Sequence, residues 1–303
     1  EDGPGLRTSV FFKGCPLSCA WCHNPESILG KPQLQWFRDR CMHCHTCVST
    51  CPNNNLSFSN ETLFIDGDRC IGCGICAEEC PANALEILGR QVSLDWLTAE
   101  ILKDIAYYQK SGGGVTATGG EPLLQDRFLE LFFERMLQEG IQTALDTCGY
   151  VPIEKFYSTL KFTNVLLFDL KEIDPLKHQK FTHHTNQIIL ENFIELSRWL
   201  PVHYPDIHLW VRTPLIPGAT ATPENVRGIG EFLDKYASEI LQRWDLLAYN
   251  NLATSKYERL NLSYQFEKTP LMTRDELVIF ESIAKETFRS NPDIVFATGS
   301  VKP

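Results

Sequence analysis

Eleven of the chain's twelve cysteines fall in its first 80 residues. No other feature limits the fold as much, because so dense a set of thiols has to be explained by metal or by disulfides. Cys41, Cys44, Cys47 and Cys51 are followed by Pro52, and Cys70, Cys73, Cys76 and Cys80 by Pro81. Each group reads C-x2-C-x2-C-x3-C-P, and each cysteine of the second lies 29 residues after its counterpart. Asn54 and Leu56 are answered by Asn83 and Leu85, which marks a duplicated unit. Zinc pairs are usually separated by longer gaps, and no secretory leader speaks for disulfides.

The spacing is that of two-cluster bacterial ferredoxins, in which the fourth cysteine of each run ligates the other cluster. It therefore predicts crossed ligation, with Cys41, Cys44, Cys47 and Cys80 holding one [4Fe-4S] centre and Cys51, Cys70, Cys73 and Cys76 the second. Cys15, Cys19 and Cys22 differ, because C-x3-C-x2-C offers three ligands and no fourth cysteine lies nearby in sequence. A cubane held by three thiolates leaves one iron open to a small molecule, so this third [4Fe-4S] centre is expected to do chemistry.

At roughly 150 residues per domain, 303 residues allow about two domains, and 43% apolar content can fill a core. A net charge of -10 without a basic cluster excludes nucleic acid as a partner. Apolar runs such as Val165 to Phe168 are far short of the roughly 18 residues that span a bilayer. A cytoplasmic protein is expected, with no membrane association and a monomeric state. Glu1 leads straight into the turn Asp2-Gly3-Pro4-Gly5, so the start reads as processed or truncated.

Asp2 to Thr8, then Phe11 to Pro16 and Trp21 to Glu26, resemble the opening of the glycyl-radical-enzyme activating enzymes, a branch of the radical S-adenosylmethionine (SAM) superfamily. Thr118 to Pro122, Leu145 to Tyr150, Phe168 to Lys171, Val211-Arg212 before Ile216 to Gly218, and Leu246 to Tyr257 extend the resemblance in order, as far as about Glu267. The resemblance implies an α/β fold: a partial (β/α)6 barrel over residues 1–37 and 91–303, with a bacterial-ferredoxin-like α+β domain inserted at 38–90. The implied activity is reductive cleavage of SAM to a 5'-deoxyadenosyl radical. That radical then takes hydrogen from a backbone glycine of a partner glycyl radical enzyme, with flavodoxin or ferredoxin as electron donor.

Periodicity supports the alternation. Leu6 to Phe12 reads as a strand, and Leu94, Leu97, Ile101, Leu102 and Ile105 as one amphipathic helix ending at Ser111 to Gly114. Strands at 115–118, 141–146, 165–170, 207–213 and 244–249 alternate with helices at 126–139, 153–160, 191–200 and 224–241, giving six β/α units. The polar motifs fall at the C-terminal strand ends, where barrels of this class build their sites.

Gly119 and Gly120 let a ligand approach the backbone, and the Glu121 carboxylate is suited to an ammonium. By resemblance this segment binds the SAM amino group, Lys171 and Arg212 grip the carboxylate and ribose, and Trp21 and Asn24 border the cofactor. Matching positions to Asp146 and Asp169 hold a monovalent cation in the pyruvate formate-lyase activating enzyme, and two adjacent carboxylates do call for a cation or a proton. Asn250 stands where many relatives have a His, so the adenosine contact there is altered. Cys148 reads as a small buried residue, and His183 and His184 as solvated. Two rival readings share part of this pattern: a radical SAM enzyme acting on a small molecule, and an electron-transfer iron-sulfur protein. The sequence names neither the partner nor its substrate.

Overall fold

In the computed structural model, which describes residues 2–299, 301 and 302, Arg7–Phe12 forms strand β1 and delivers the first cysteine loop. Glu1, where the processed or truncated start was placed, lies outside the described residues. The insert follows as β2 (Gln33–Trp36), α1 (Thr46–Thr50), β3 (Leu56–Ser59), β4 (Thr62–Ile65), α2 (Ile75–Glu78) and β5 (Leu85–Leu88). β2 pairs antiparallel with β5, and β3 with β4. Leu34 and Trp36 are buried with Leu56, Leu63 and Leu85. The insert's own sheet and core thus begin at Gln33, although a boundary at residue 38 leaves β2 with the barrel.

The single helix expected after the insert is two, α3 (Leu94–Leu102) and α4 (Ile105–Ser111). Asp104 sits at the break, and its carboxylate accepts from Thr8 Oγ1 at 3.0 Å. Tyr108 donates to the same hydroxyl at 2.6 Å, so a tertiary contact to β1 interrupts a continuous apolar period.

The barrel continues with β6 (Gly114–Gly119), α5 (Asp126–Gln138), β7 (Gln142–Thr147), α6 (Glu154–Leu160) and β8 (Val165–Asp169). It ends with α7 (Pro175–Thr182), α8 (Gln187–His203), β9 (His208–Leu215), α9 (Pro223–Tyr236), β10 (Leu241–Ala248), α10 (Thr254–Arg259), α11 (Arg274–Thr287) and β11 (Val295–Thr298). Among the described residues the order is β1-β6-β7-β8-β9-β10-β11, with every neighbour parallel. β1 and β11 are the edges of an open sheet, which makes the partial barrel.

Among the described residues four barrel elements, α7, α10, α11 and β11, exceed the six units read from sequence. α7 starts from Asp174, whose carboxylate caps the amides of Leu176 and Lys177, with Pro175 at the first helical position. The seventh strand, β11, has four residues and no apolar period of its own. It is held by pairing with β10, by buried Val295, and by α11 through Ala284 and Phe288.

Val115, Leu145, Leu166, Val211 and Leu246, from successive strands, meet helix residues such as Phe132, Phe156, Phe193 and Leu233 in the main core. Each such buried side chain contributes about 1.5–3 kcal/mol. The barrel floor is closed by Trp210 against Ala144, Val165 and Leu167. Arg7 completes it, donating to Thr116 Oγ1 (2.8 Å), Gln142 Oε1 (2.7 Å) and the Val115 carbonyl (2.6 Å). With the floor sealed, the site lies at the opposite edge.

Candidate active site

The loop carrying Cys15, Cys19 and Cys22 is fastened along its backbone. Gly14 and Cys15 donate to the carbonyls of Ser27 (2.8 Å) and Ile28 (2.9 Å), and Ser18 and Ala20 to those of Thr182 (3.2 Å) and Phe181 (2.9 Å) at the end of α7. Tyr257 on α10 donates its hydroxyl to the Cys22 carbonyl at 3.0 Å. Lys256 reaches Asn24 Oδ1 (2.8 Å) and Glu26 Oε1 (2.7 Å). Burial pushes the Cys19 thiol up to about 12 and the Cys22 thiol up to about 11. Thiols so disposed ionise readily only with a positive partner such as iron.

These cysteines border a cavity of about 1280 Å³ at the C-terminal strand ends. Trp21, Asn24, Gly119, Gly120, Asp146, Asp169, Lys171, Arg212 and Asn250 also line it, so the fold brings together nearly every site residue read from the sequence. Gly119 has φ +109, and a Cβ on Gly120 would stand 2.1 Å from the Gly14 carbonyl oxygen. Both glycines are therefore required where the backbone bends past the cysteine loop.

Glu121 is the exception: it is fully buried and does not line the cavity. Its carboxylate accepts from the Leu123 amide (3.1 Å), the Thr147 hydroxyl (2.8 Å) and the Cys148 amide (2.8 Å). Its own amide donates to the Gly14 carbonyl at 2.7 Å. Burial raises its pKa, against those hydrogen bonds. In this geometry the residue ties the cysteine loop to the end of β7, and its carboxylate is not free to meet an ammonium.

Register explains the charged cluster. Asp169 on β8 is paired with Arg212 on β9, and Asp146 lies one strand further. Arg212 bonds Asp169 Oδ1 (Nη2, 2.8 Å) and Asp146 Oδ1, and Lys171 bonds Asp169 Oδ2 at 2.5 Å. Thr118 donates to the other Asp146 oxygen at 2.6 Å. Burial raises Asp146, whereas for Asp169 burial is outweighed by Arg212 and Lys171 and the carboxyl is held low. The two carboxylates expected to share a cation thus have two side-chain cations between and beside them.

Trp21 lines the cavity and also packs against Phe181 and Phe266. Asn250 turns its Oδ1 to the Leu252 amide at 3.2 Å. Cys148 is buried, but it also borders the cavity in contact with Cys15. His183 is exposed, as expected, whereas half-buried His184 meets the Tyr150 hydroxyl at 3.1 Å. His178 was not singled out in the sequence. It is buried, with Nδ1 2.6 Å from the His184 carbonyl and 3.0 Å from the Thr182 hydroxyl, behind the strap that holds the cysteine loop. Its partners are formed by the αL turn at His183, for which no local pattern gives a signal.

In the insert, Cys41, Cys44, Cys47 and Cys80 line one cavity of about 330 Å³, walled by Trp36, Phe58, Leu63 and Leu85. Cys51, Cys70, Cys73 and Cys76 line another of about 310 Å³. None of the twelve cysteines is paired in a disulfide. Two four-sulfur cradles fit the donor chemistry of iron-sulfur centres.

Residues 40–87 match the 4Fe-4S dicluster domain model, and residues 69–226 the radical SAM superfamily model. The chain is 40% identical to the trans-4-hydroxy-L-proline dehydratase activating enzyme of Clostridioides difficile, covering 91% of this chain and 90% of that one. It is 36% identical to the (2S)-3-sulfopropanediol dehydratase activating enzyme of Klebsiella oxytoca, covering 90% and 86%. The chain belongs to the glycyl-radical-enzyme activating enzymes. As an activating enzyme of this family it is an iron-sulfur, SAM-dependent enzyme whose substrate is a glycyl radical enzyme. The crystal structure of Streptococcus suis SuiB bound to precursor peptide SuiA shares its fold, with a TM-score of 0.54 at 10% identity over 97% of this chain and 49% of that one. No helix among the described residues is long and apolar enough to cross a membrane.

Proposed function

We propose that this activating enzyme carries three [4Fe-4S] centres: a SAM-binding one on Cys15, Cys19 and Cys22, and two on the crossed sets Cys41/Cys44/Cys47/Cys80 and Cys51/Cys70/Cys73/Cys76. The observation that carries this reading is the difference in surroundings. The three-cysteine loop opens on a large charged cavity, and the two four-cysteine sets each close on a small one. When loaded, the three-cysteine centre supplies the electron that breaks the S–C5' bond of SAM.

The chain's own residues orient that reaction. Gly119 and Gly120 give the methionyl amino group a close backbone surface, while Lys171 and Arg212 face its carboxylate and the ribose. Trp21 borders the adenine, and Asn24 and Asn250 complete the rim. A zwitterion entering here draws Lys171 and Arg212 away from Asp169 and Asp146, and a monovalent cation held between the two carboxylates supports that SAM-bound arrangement. Removing Asp169 should then weaken SAM binding and blunt any response to potassium or sodium without loss of iron. Equal affinity for Asp169→Ala across alkali salts would restrict the pair to holding Arg212.

The partner's glycine loop is proposed to form the missing wall of the open barrel, keeping water from the radical and aligning one glycine hydrogen. Flavodoxin or ferredoxin supplies electrons through the insert, and the protein acts as a monomer. Relatives at 36–40% identity serve different dehydratases and lyases, so likeness does not choose this chain's partner. The test is anaerobic mixing of the reconstituted protein with candidate glycyl radical enzymes, SAM and reductant. A glycine-centred doublet in the paramagnetic resonance spectrum identifies the partner, and deuterium on that glycine should appear in 5'-deoxyadenosine. Fast cleavage without a partner and without label transfer would favour a small-molecule substrate.

A further inference from the structure

The two cradles of the insert are alike in exposure but unlike in how they meet the barrel. Met42 beside one is 62% exposed and Ile71 beside the other 61%, and Cys44 and Cys73 are both exposed. Exposure therefore does not distinguish them. The β2–β5 ribbon does. Trp36 and Leu85, paired at one end, line the Cys41 cavity, whereas Ile87, next to the Gln33–Leu88 end, lines the Cys51 cavity.

The barrel grips that second end. Lys13, two residues before Cys15, donates to Gln33 Oε1 at 2.9 Å and to the Glu26 carbonyl, and its stem fills the space a side chain on Gly89 would need. Lys31 donates to the carbonyls of Gly67 and Cys70, each at 2.9 Å. Gly72 lies against Pro32, so close that a Cβ would stand 2.7 Å from the Pro32 oxygen. Ile28, three residues before Lys31, accepts from the Cys15 amide at 2.9 Å. Cys70 and Cys15 are thus joined by one lysine side chain, a short stretch of backbone and two hydrogen bonds.

A second brace reaches the other cavity, where Asn261 Nδ2 donates to the Leu63 carbonyl at 2.6 Å. Leu63 is a wall residue, not one of the cysteines. From Asn261 the route to the cysteine loop still needs the Tyr257 side chain and its bond to the Cys22 carbonyl. Electron transfer weakens with every added step, so the ligand-to-ligand route is the better coupled.

We propose that the centre on Cys51, Cys70, Cys73 and Cys76 passes electrons to the Cys15 centre, and that the centre on Cys41, Cys44, Cys47 and Cys80 receives them from the donor. This rests on the three-centre relay proposed above. One electron leaves a low-potential one-electron carrier protein. Each insert centre would gain it and give it up in turn, and the Cys15 centre would hand it to the sulfonium of SAM, whose S–C5' bond breaks to leave the electron pair on the methionine sulfur and the unpaired electron on C5', with no proton moved in the relay.

The experiment uses holoprotein with SAM bound, reduced either by dithionite or by reduced flavodoxin. Magnetic broadening of the Cys15-centre signal by a reduced neighbour should persist in Cys44→Ala and vanish in Cys70→Ala. The reverse pattern would overturn the order while leaving a relay in place. If neither variant changes the broadening, and flavodoxin reduces the Cys15 centre equally fast in both, the relay reading itself fails. Because a ligand variant can lose both insert centres, Lys31→Met provides the second arm. It should keep its iron and its dithionite-driven reduction but slow flavodoxin-driven reduction several-fold, and unchanged flavodoxin kinetics would overturn the proposal.

Discussion

Cys15, Cys19 and Cys22 at the barrel mouth and the eight cysteines of the insert use the same thiol chemistry in opposite settings. The barrel set has three sulfurs beside a cavity of about 1280 Å³ with Asp146, Asp169, Lys171 and Arg212 on its wall. The insert sets have four sulfurs each, around cavities of about 330 and 310 Å³ walled mostly by apolar side chains and backbone. The difference teaches that reactivity comes from an absent ligand together with an adjoining polar space. On the function proposed above, complete ligation in a small cavity leaves electron transfer as the task of the insert.

The most severe test of that contrast is Cys15→Ala. It should abolish SAM cleavage and remove about a third of the iron, four of about twelve atoms per chain, by iron assay and product chromatography. Cys148→Ala, next to it in the cavity, should keep both. Unchanged cleavage in Cys15→Ala, or zinc as the main metal, would erase the distinction between the regions.

Arg212→Leu attacks the barrel site alone. It leaves Asp146 and Asp169 buried without their shared cation, for an expected loss of about 3–5 kcal/mol in unfolding free energy. The insert's iron should be unaffected in folded protein, and SAM affinity should fall. A loss below 1 kcal/mol would mean that Lys171 and Thr118 suffice.

Acidity should separate the regions more gently. Burial holds the His178 pKa down to about 4 against a usual 6.5. Between these values the unfolded chain binds more protons than the folded one, so stability falls as pH drops through that window. The cost is at most about 3 kcal/mol at its acid end, from 1.36 kcal/mol per unit. The protection of Ser18 and Ala20, whose amides are held by the α7 strap, should fall relative to the intrinsic exchange rate from pH 6.5 to 5, while that of Val48 and Ala77 in the insert should stay constant. Equal response in both regions, or no flattening in His178→Asn, would remove His178 from this role.

The smallest effect lies within the insert. Cys51→Ser should shift the same paramagnetic signal as Cys70→Ser, since both line one cavity and an oxygen ligand alters the potential of its centre. A shift in the signal sensitive to Cys41→Ser would show ligation that is not crossed.

Spacing along the chain was enough for the grouping of the cysteines, for the succession of barrel strands β1, β6, β7, β8, β9 and β10, and for the family, because ligands two or three residues apart and periodic apolar faces are local properties. The placement of Gly119, Lys171 and Arg212 at one edge was legible too, since parallel strands put their C-terminal ends together. Only the tertiary structure decided that Glu121 braces the cysteine loop, that Arg212 lies between Asp146 and Asp169, that Asp104 breaks a helix, and that β2 and β11 join their sheets. In each case the outcome depends on a partner far away in the chain. Which donor reaches a buried carboxylate, and which strand satisfies an open edge, is fixed by sheet register and packing, which one segment does not contain.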